Sequence, residues 1–271
     1  MEKITSRQNK TVREAAALLS SAEERAARGE FLCEGARLCQ DAARSGIEVL
    51  RCFVTAQALE KYAAYLQPVL ERARQSYLVA DHVAGLLSST KSPQGVFCQC
   101  RWPPQGLLAG DAAGGGSCAV LEDLQDPGNL GTILRTAEAL GIGRVVLLGD
   151  CCDPLSPKAL RASMGAVFRL GLSLERSRQG LFSRLRGEGF RLLASVPDSA
   201  ALPVTEVDFS QGPCAVFIGN EGNGLSQETI ARCQRVTIPM AGRAESLNAS
   251  AAATILLWEM ARAGGEGASH G

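Results

Sequence analysis

The chain has 271 residues, of which 46% are hydrophobic and 21% are charged, and its formal net charge at neutral pH is zero. This composition is typical of a folded protein with a real hydrophobic core, and it excludes the intrinsically disordered and low-complexity classes. The zero net charge argues against a protein that coats nucleic acid nonspecifically, although it permits a local basic patch.

The amino terminus and the apolar runs bear on cellular location. The first ten residues are polar and basic, where a secretory signal peptide needs an apolar core. The longest nearly apolar run, residues 249–258, is far shorter than a bilayer-spanning helix. The ten cysteines are scattered and form no CxxC pair, which favours buried reduced thiols over disulfides. We therefore expect a cytoplasmic protein that makes no contact with a membrane.

The first 105 residues predict a small α/β/α domain. The opening segment is modestly basic, and its pattern alone is as compatible with a solvated first helical turn as with a binding role; its charged residues are Lys3, Arg7, Lys10 and Arg13 against Glu2. Apolar spacing predicts helices over 9–27, 35–45, 56–73 and 81–87. Short apolar runs predict strands over 31–33, 49–54, 76–79 and 95–100.

Prolines and a glycine run predict a domain boundary. Pro103 and Pro104 are followed by three consecutive glycines at 114–116, a composition typical of a linker. We divide the chain into a first domain at 1–105, a linker at 106–117, a second domain at 118–264 and a tail at 265–271.

Strand-like and helix-like segments alternate through the second domain. The predicted strands are 118–122, 144–148, 167–172, 191–195, 214–218 and 236–238. The predicted helices are 130–140, 157–163, 178–188, 227–233 and 249–262. Alternation at this spacing predicts a largely parallel sheet that is covered by helices on both faces.

The first polar segment of the second domain lies where an apolar strand meets a helix, which is where α/β proteins build ligand sites. It runs from Asp126 through Pro127 and Gly128 to Asn129, and we expect Asn129 to cap the helix that follows. Arg135 lies nearly two turns into that helix. Taken alone, such an arginine is more often a solvated side chain than a functional one.

A glycine-rich segment, FIGNEGNGLS (217–226), follows a later strand. Its glycines permit a close approach of backbone to ligand, and Glu221 places a carboxylate at the strand end. The segment matches neither the dinucleotide fingerprint nor the phosphate-binding loop, so a phosphate cradle is disfavoured.

The third polar segment is the loop 239–248. Ser246 or Asn248 is suited to cap the following helix, and a functional role is equally open for either residue. Neither of the two histidines, His82 and His270, lies in any of the three segments. A histidine-based metal site or a Ser/His/Asp triad is therefore not expected.

Together and in this order, the three segments closely resemble the signature motifs of the SpoU (TrmH-type) RNA 2′-O-ribose methyltransferases. The matching stretches are NLGTILRTA (129–137), FIGNEGNGL (217–225) and IPMAGRAESLNASAAATILLWE (238–259). Residues 158–170 resemble a connecting segment of that family. Residues 31–46 and 88–100 resemble its ribosomal-protein-like RNA-binding domain, so the likeness spans nearly the whole chain.

The resemblance implies an α/β fold in which the second domain is a trefoil-knotted parallel sheet of the SPOUT type. It implies S-adenosylmethionine as the cofactor and no metal. The positions that match the family's cofactor-binding residues are Gly219, Ile238 and Leu247, with Met240 close by. The positions that match its catalytic residues are Arg135, Asn129, Glu221, Ser246 and Asn248.

The resemblance also suggests a role for each catalytic position. A guanidinium is effectively always protonated, so we expect Arg135 to bind an RNA phosphate and stabilise the developing alkoxide rather than act as a base. Asn129 and Glu221 would orient this corner of the site. Ser246 and Asn248 would position the substrate and the cofactor loop.

A ribose 2′-hydroxyl as acceptor implies RNA as the substrate. The ribosomal-protein-like first domain favours ribosomal RNA over transfer RNA, with the basic amino terminus as a candidate phosphate contact. In the family that the chain resembles, helices that flank the knot pack against a partner, so the resemblance and the apolar helix 249–260 together imply a homodimer through the second domain. The alternatives are a transfer RNA 2′-O-methyltransferase, a Rossmann-type nucleotide binder, whose fingerprint is absent, and a non-catalytic RNA-binding module, which would be expected to lack some of the catalytic residues.

Overall fold

The computed structural model describes residues 1–102 and 116–266. Packing divides them into two units, the first made of 1–102 and 153–168 and the second of 116–152 and 169–266. Most of the predicted linker, residues 106–115, and residues 267–271 of the predicted tail lie outside the described ranges. The segment 153–168 packs in the first unit, whereas the sequence division places it in the second domain.

The first unit is built on a mixed five-stranded sheet. Its strands are β1 (Glu2–Ile4), β2 (Glu30–Glu34), β3 (Glu48–Val54), β4 (Gln75–Val79) and β5 (Val96–Arg101), in the order β1-β4-β3-β5-β2. Strands β1 and β3 are parallel to β4, while β5 is antiparallel to β2 and β3. The short edge strand β1 has no counterpart in the sequence prediction, because three residues are too few to show a pattern.

Six helices of the first unit precede the second sheet: α1 (Lys10–Ser20), α2 (Ala22–Arg28), α3 (Ala36–Arg44), α4 (Ala56–Lys61), α5 (Ala63–Arg72) and α6 (Asp81–Ala84). The single helix predicted over 9–27 is wrong, because the chain is extended at Ser21 and starts a new helix there. The Ser21 hydroxyl accepts a hydrogen bond from the N–H of Glu24 at 3.0 Å, which caps α2. Tyr62 likewise divides the helix predicted over 56–73 into α4 and α5.

The second unit contains a seven-stranded sheet in which every neighbouring pair is parallel, as the sequence predicts. Its strands are β6 (Cys118–Glu122), β7 (Arg144–Leu148), β8 (Gly171–Glu175), β9 (Arg191–Ser195), β10 (Leu202–Pro203), β11 (Cys214–Ile218) and β12 (Gln234–Thr237). Their order is β10-β12-β9-β11-β6-β7-β8. The strand predicted over 167–172 is wrong: residues Ala166–Phe168 form a buried 3-10 turn of the first unit, and β8 begins at Gly171.

The remaining helices are α7 (Pro127–Ala139), α8 (Pro157–Ser163), α9 (Arg178–Gly187), α10 (Gln227–Arg232) and α11 (Ala249–Glu266), of which α8 belongs to the first unit. Helix α9 packs Leu181, Phe182 and Leu185 against one face of the second sheet, where Phe182 stacks on Phe217 of β11 at 5.2 Å between ring centroids. Helices α7 and α11 contact each other and the sheet. The mixed α/β class predicted from the sequence is confirmed.

Buried thiols account for most of the cysteines, as predicted. All ten are free, and seven of them are buried. Burial raises the pKa of Cys39 and of Cys118 to about 12, so these thiols stay protonated at neutral pH. Across the described ranges, no helix combines the length and the hydropathy needed to span a membrane.

Candidate active site

The loops that follow β6, β11 and β12 lie at the carboxyl edge of the second sheet. Strands β6 and β11 are neighbours in the sheet. The strands that follow β6 in the chain, β7 and β8, extend the sheet on one side of this pair, whereas β9 lies next to β11 on the other side. A reversal of strand order of this kind opens a crevice at the strand ends, where α/β proteins bind ligands. Residues 123–129 and 219–224 meet at this point.

The first turn of α7 is capped by Asp126, and the prediction that Asn129 caps it is wrong. Oδ1 of Asp126 accepts hydrogen bonds from the N–H groups of Gly128 and Asn129 at 2.7 and 2.9 Å. Pro127 occupies the first helical turn, where a backbone N–H would have no hydrogen-bond partner within the helix, so proline is tolerated there. Because Asp126 serves as the cap, the side chain of Asn129 is available for other partners.

The Glu221 carboxylate joins the glycine-rich loop to the start of α7. Its Oε1 accepts hydrogen bonds from the Asp126 N–H at 2.9 Å and from Asn129 Nδ2 at 3.1 Å, and its Oε2 accepts one from the Gln125 N–H at 3.1 Å. Partial burial acts to raise the pKa of Glu221, but these hydrogen bonds outweigh it and hold the pKa below its ordinary value. Glu221 is therefore a carboxylate at neutral pH, placed at the positive end of the α7 dipole.

Asn248 connects the third motif to the same junction. Its Nδ2 donates a hydrogen bond to Oδ1 of Asn129 at 3.1 Å. Its own Oδ1 accepts hydrogen bonds from the N–H groups of Ser250 and Ala251, so Asn248, rather than Ser246, caps α11. One side-chain path, from Asn248 through Asn129 to Glu221, thus holds all three motif loops together.

A cavity of about 360 Å³ opens beside the junction. The four residues predicted to hold the cofactor all line it, as do two of the predicted catalytic residues: Gly219, Ile238, Met240 and Leu247, together with Glu221 and Ser246. The structure therefore brings together residues that are separated by up to 28 positions in the chain. Their roles as cofactor-binding and catalytic residues stay predictions.

Gly219 has a steric reason to be glycine. A Cβ at this position would lie 2.2 Å from the carbonyl carbon of Gly224 and 2.3 Å from the nitrogen of Leu225. A larger residue would therefore prevent the two ends of the loop from packing this closely. The sequence pattern attributes this glycine to a ligand, whereas the loop itself already requires it.

The sequence reasoning named no site residue at the end of β9, where Ser195, the last residue of the strand, and the following Val196 and Pro197 line the cavity. They carry no motif. The available signal was positional, because the carboxyl end of every parallel strand faces the same edge and β9 is a neighbour of both β11 and β12.

Arg135 lies apart from the junction. Its side chain is exposed on α7 and does not line the 360 Å³ cavity. It borders a second cavity of about 510 Å³ between α7 and α11, whose other lining residues include Leu140, Ile255 and Trp258. No hydrogen bond or ion pair holds the Arg135 guanidinium within residues 1–102 and 116–266, so its charge is available to a ligand.

No metal-binding group accompanies the junction. Among the residues that the structure describes, no three histidine, cysteine or acidic side chains are grouped so that they could hold a metal ion. The polar groups gathered here are side-chain amides, the carboxylates of Glu221 and Asp126, and backbone N–H groups.

Comparison with protein families places this site. Residues 117–258 match the family model of the SpoU rRNA Methylase family, and residues 9–98 match that of the MRM3-like substrate binding domain. The chain belongs to the SpoU rRNA methylase family.

Individual relatives match over nearly the whole chain. An uncharacterized tRNA/rRNA methyltransferase of Synechocystis is 36% identical over 96% of this chain and 93% of its own length. RlmP of Bacillus subtilis, a 23S rRNA guanosine 2′-O-methyltransferase, is 29% identical over 96% of this chain and 99% of its own. The AdoMet-bound crystal structure of an rRNA methyltransferase from Sinorhizobium meliloti superimposes with a TM-score of 0.84 at 29% identity, covering 96% of this chain and 97% of that one.

The Glu221 junction predicts a specific loss of stability. Replacing Glu221 with Ala removes the acceptor for three hydrogen bonds, and we expect the free energy of unfolding at pH 7 to fall by about 1 to 2 kcal/mol. Because the pKa of Glu221 is lower in the folded state, its contribution is present at neutral pH and is lost as the pH falls through that lowered value. Urea unfolding at neutral and acidic pH measures both effects.

The matched control is Glu228→Ala. Glu228 lies on α10, and its side chain forms an exposed ion pair with Arg232 one turn along the helix at 3.2 Å. Loss of such a pair changes stability by less than about 0.5 kcal/mol. Equal losses in the two variants would contradict the special role of the junction.

Proposed function

We propose that this protein transfers the methyl group of S-adenosylmethionine to a ribose 2′-hydroxyl of ribosomal RNA. The observation that carries the proposal is the junction of Asn248, Asn129 and Glu221, which ties the three family motifs together at the rim of a 360 Å³ cavity. Membership of the SpoU rRNA methylase family and the AdoMet-bound relative support the reaction and the cofactor.

The residues of the cavity fit S-adenosylmethionine. The volume lies within the usual range of small-molecule sites, roughly 300 to 1,000 Å³. Ile218, Ile238 and Leu247 supply apolar walls suited to an adenine ring, and the backbone of 219–224 supplies N–H and C=O groups. When bound there, S-adenosylmethionine supplies an electrophilic methyl group on a sulfonium.

The protein's own task is to align the acceptor hydroxyl and to assist the loss of its proton. Alignment alone can supply roughly 7 to 11 kcal/mol in favourable systems. In this proposal Asn129 and Glu221 orient the corner, and Ser246 and Asn248 position the substrate and the cofactor loop. The hydrogen bonds of Glu221 and Asn248 support this assignment, because they hold these side chains in one arrangement.

Arg135 serves in this proposal as a fixed positive charge. A guanidinium does not give up its proton in the neutral pH range, so Arg135 is unsuited to act as a general base. We assign it to an RNA phosphate and to the developing alkoxide, while the hydroxyl proton leaves to phosphate or water. Its exposure and the lack of an acidic partner among the described residues support the assignment.

The first unit selects the RNA in this proposal. Its support is the match to a substrate binding domain and the free charges at the amino terminus. The side chains of Lys3, Arg7 and Arg13 are exposed and make no ion pair within the described residues, whereas Lys10 lies 3.9 Å from Glu14. Ribosomal RNA is favoured over transfer RNA because RlmP acts on 23S rRNA.

Methyl transfer to purified RNA tests the function directly. The protein, S-adenosylmethionine with a labelled methyl group and either ribosomal or transfer RNA are incubated, and the 2′-O-methyl position is mapped. Labelling of ribosomal RNA alone is the expected result. Labelling of transfer RNA alone, or a methyl group on a base, would overturn the proposal.

The assigned role of Arg135 predicts a graded loss of rate. Arg135→Lys keeps a positive charge and should retain part of the activity, whereas Arg135→Ala should lose about 100-fold or more, the scale of one strong oxyanion donor. Cofactor binding should survive both changes. Without a histidine at the matched positions, the single-turnover rate should rise with pH and show no titration near neutrality.

The control is Arg186→Ala, an arginine on α9 whose guanidinium donates to a backbone oxygen of Arg232. It should keep the wild-type rate. A bell-shaped profile centred near pH 7, or full activity in Arg135→Ala, would rule out the assignment of Arg135.

The basic amino terminus predicts a salt-dependent contribution to RNA binding. Arg7 and Arg13 line one shallow surface depression, so the double variant Arg7→Ala/Arg13→Ala removes two adjacent charges. We expect weaker RNA binding and a salt dependence reduced by about 1 to 2 in logarithmic slope. Filter binding across a series of salt concentrations measures both. The control Arg44→Ala/Arg72→Ala removes two exposed arginines elsewhere in the same unit, and an equal effect there would contradict a defined contact.

We further propose a homodimer through the second unit. Helix α11 buries Ala253, Leu256 and Leu257 within its own unit but leaves Ile255 37% and Trp258 56% exposed beside α7. Exposed apolar residues that cluster on one face are typical of a protein interface. The face also carries Arg135, so a partner subunit would border the proposed catalytic charge.

A charge on this face should dissociate the dimer. We expect Trp258→Glu to lower the mass measured by light scattering from twice 28.5 kDa to 28.5 kDa, since burying an unpaired carboxylate at an interface is costly. Leu174→Glu is the control, because Leu174 is 63% exposed on the edge strand β8 and does not line the cavity between α7 and α11. A wild-type protein that is monomeric at all concentrations would refute the dimer.

Three further features belong to the proposal. The domain division at 1–105, 106–117 and 118–264 is supported by the extents of the two family matches. The trefoil knot is supported by the family membership of the second unit. Action on ribosomal RNA supports a cytoplasmic location.

A further inference from the structure

An aspartate that bonds to the loops around the site has a strained backbone conformation. Asp123, the residue after β6, has a φ of 53°, and Met164 is the one other non-glycine residue with a positive φ in the described ranges. Such a conformation is unfavourable for a residue with a Cβ and persists where the surroundings fix it firmly. The contacts of Asp123 therefore show which parts of the site depend on this backbone conformation.

Every polar group of Asp123 is bonded to a different part of the site. Its N–H donates to the oxygen of Leu148 at 3.0 Å, and its Oδ1 accepts from the N–H of Asp150 at 2.7 Å, which fixes the loop after β7. Its carbonyl oxygen accepts from Asn220 Nδ2 at 2.8 Å and from Gln125 Nε2 at 3.2 Å. Asp123 thus connects the loops that follow β6, β7 and β11.

The two side chains that bond to the Asp123 carbonyl lead directly to the junction. Oδ1 of Asn220 accepts from the N–H groups of Gly222 and Asn223 at 2.8 and 3.0 Å, which shapes the glycine-rich loop along the cavity. The N–H of Gln125 donates to Glu221. The position of the Asp123 backbone therefore sets the positions of both Glu221 and the cavity wall.

The Asp123 side chain is held in turn by Arg178, the first residue of α9. Nη2 of Arg178 donates to Asp123 Oδ2 at 2.5 Å, and its Nε donates to Glu122 Oε1 at 2.9 Å. The Glu122 side chain is 1% exposed, and its Oε2 has no partner in the described part of the chain. A buried carboxylate with few partners needs its single cation, so Arg178 is fixed in place.

Gly149 completes the arrangement. Its φ is 78°, and a Cβ there would lie 2.2 Å from Oδ1 of Asp123. The loop after β7 therefore accepts the aspartate only because this position is glycine.

We propose that Asp123 and Arg178 are positioning residues for methyl transfer: the buried Glu122 fixes Arg178, Arg178 fixes the Asp123 carboxylate, and the left-handed Asp123 backbone sets the glycine-rich loop and the Glu221 junction. Neither residue lines the 360 Å³ cavity, so neither acts as a catalytic residue. The inference rests on the proposed function for its kinetic consequences, but its structural consequences are independent of that function.

Asp123→Gly is the decisive variant. Glycine adopts a positive φ without strain, so this change removes both carboxylate contacts while the backbone conformation remains accessible. We expect a melting temperature close to wild type, a kcat lowered by about tenfold to a hundredfold, and weaker S-adenosylmethionine binding. The KM for RNA should stay near wild type, because Asp123 bonds neither to Arg135 nor to the basic amino terminus, the charges that we propose bind RNA. Asp123→Asn, which tolerates the left-handed region and keeps an acceptor for Asp150, should recover part of the loss.

Arg178 needs a paired variant, because Arg178→Met alone leaves Glu122 buried without a cation and threatens folding. The double variant Glu122→Gln/Arg178→Met removes that charge, and we expect it to fold yet to show the same loss of kcat. Arg184→Met is the matched control, since Arg184 lies on the same helix and pairs with Glu175 at 2.6 Å instead. It should keep the wild-type kcat.

Hydrogen exchange separates this inference from the proposed function. In Asp123→Gly and in the double variant, amides of 219–225 should exchange faster than in wild type, with no such change in Arg184→Met. A wild-type protein that methylates no RNA would refute the proposed function and leave this readout intact. Wild-type kcat, cofactor affinity and exchange in Asp123→Gly would overturn the positioning role.

Discussion

Three hydrogen bonds from the start of α7 to the Glu221 carboxylate hold the site together. The first N–H groups of a helix have no partner within it, and they carry the positive end of its dipole. Asp126 accepts from the N–H groups of Gly128 and Asn129 in the first turn. Glu221, at a strand end far along the sequence, accepts from the two N–H groups just before the helix and from the Asn129 side chain. The shape of the glycine-rich loop therefore depends on a helix that it does not adjoin in sequence. Asn248 extends the same dependence to the third motif.

The charges of the site are constant around neutral pH. Hydrogen bonding holds the pKa of Glu221 below its ordinary value, and arginine side chains carry a fixed positive charge. Chemistry with such groups relies on alignment and fixed electrostatics rather than on a titrating side chain. Arg135 lies outside the junction, so under the proposed function the bound RNA connects this charge to the loops around the cavity.

The segment 153–168 belongs to the first unit, although in sequence it interrupts the second unit. Asp153 accepts a hydrogen bond from the buried Arg25 at 2.6 Å, and the same guanidinium donates to the oxygen of Leu18 at 2.6 Å. Phe168 stacks on Phe31 at 5.7 Å between ring centroids. Removal of residues 1–105 would leave Asp153 without its cation and Phe168 without its cover. The first unit is therefore not a simple amino-terminal extension that can be cut at the linker.

The sequence by itself determined the parallel α/β architecture and the three loops that meet at the site. Continuous apolar runs mark β11 over its full length and β6 as far as Leu121, and the motif residues lie at the strand ends where parallel sheets gather ligands. Only the tertiary structure decided which residue does what within those loops. Local pattern favoured Asn129 as a cap, but Asp126 takes that place, and the Asn129 side chain bonds instead to Glu221, 92 positions away. Bonds of this range connect residues that no local pattern relates, since each depends on how the whole sheet is ordered.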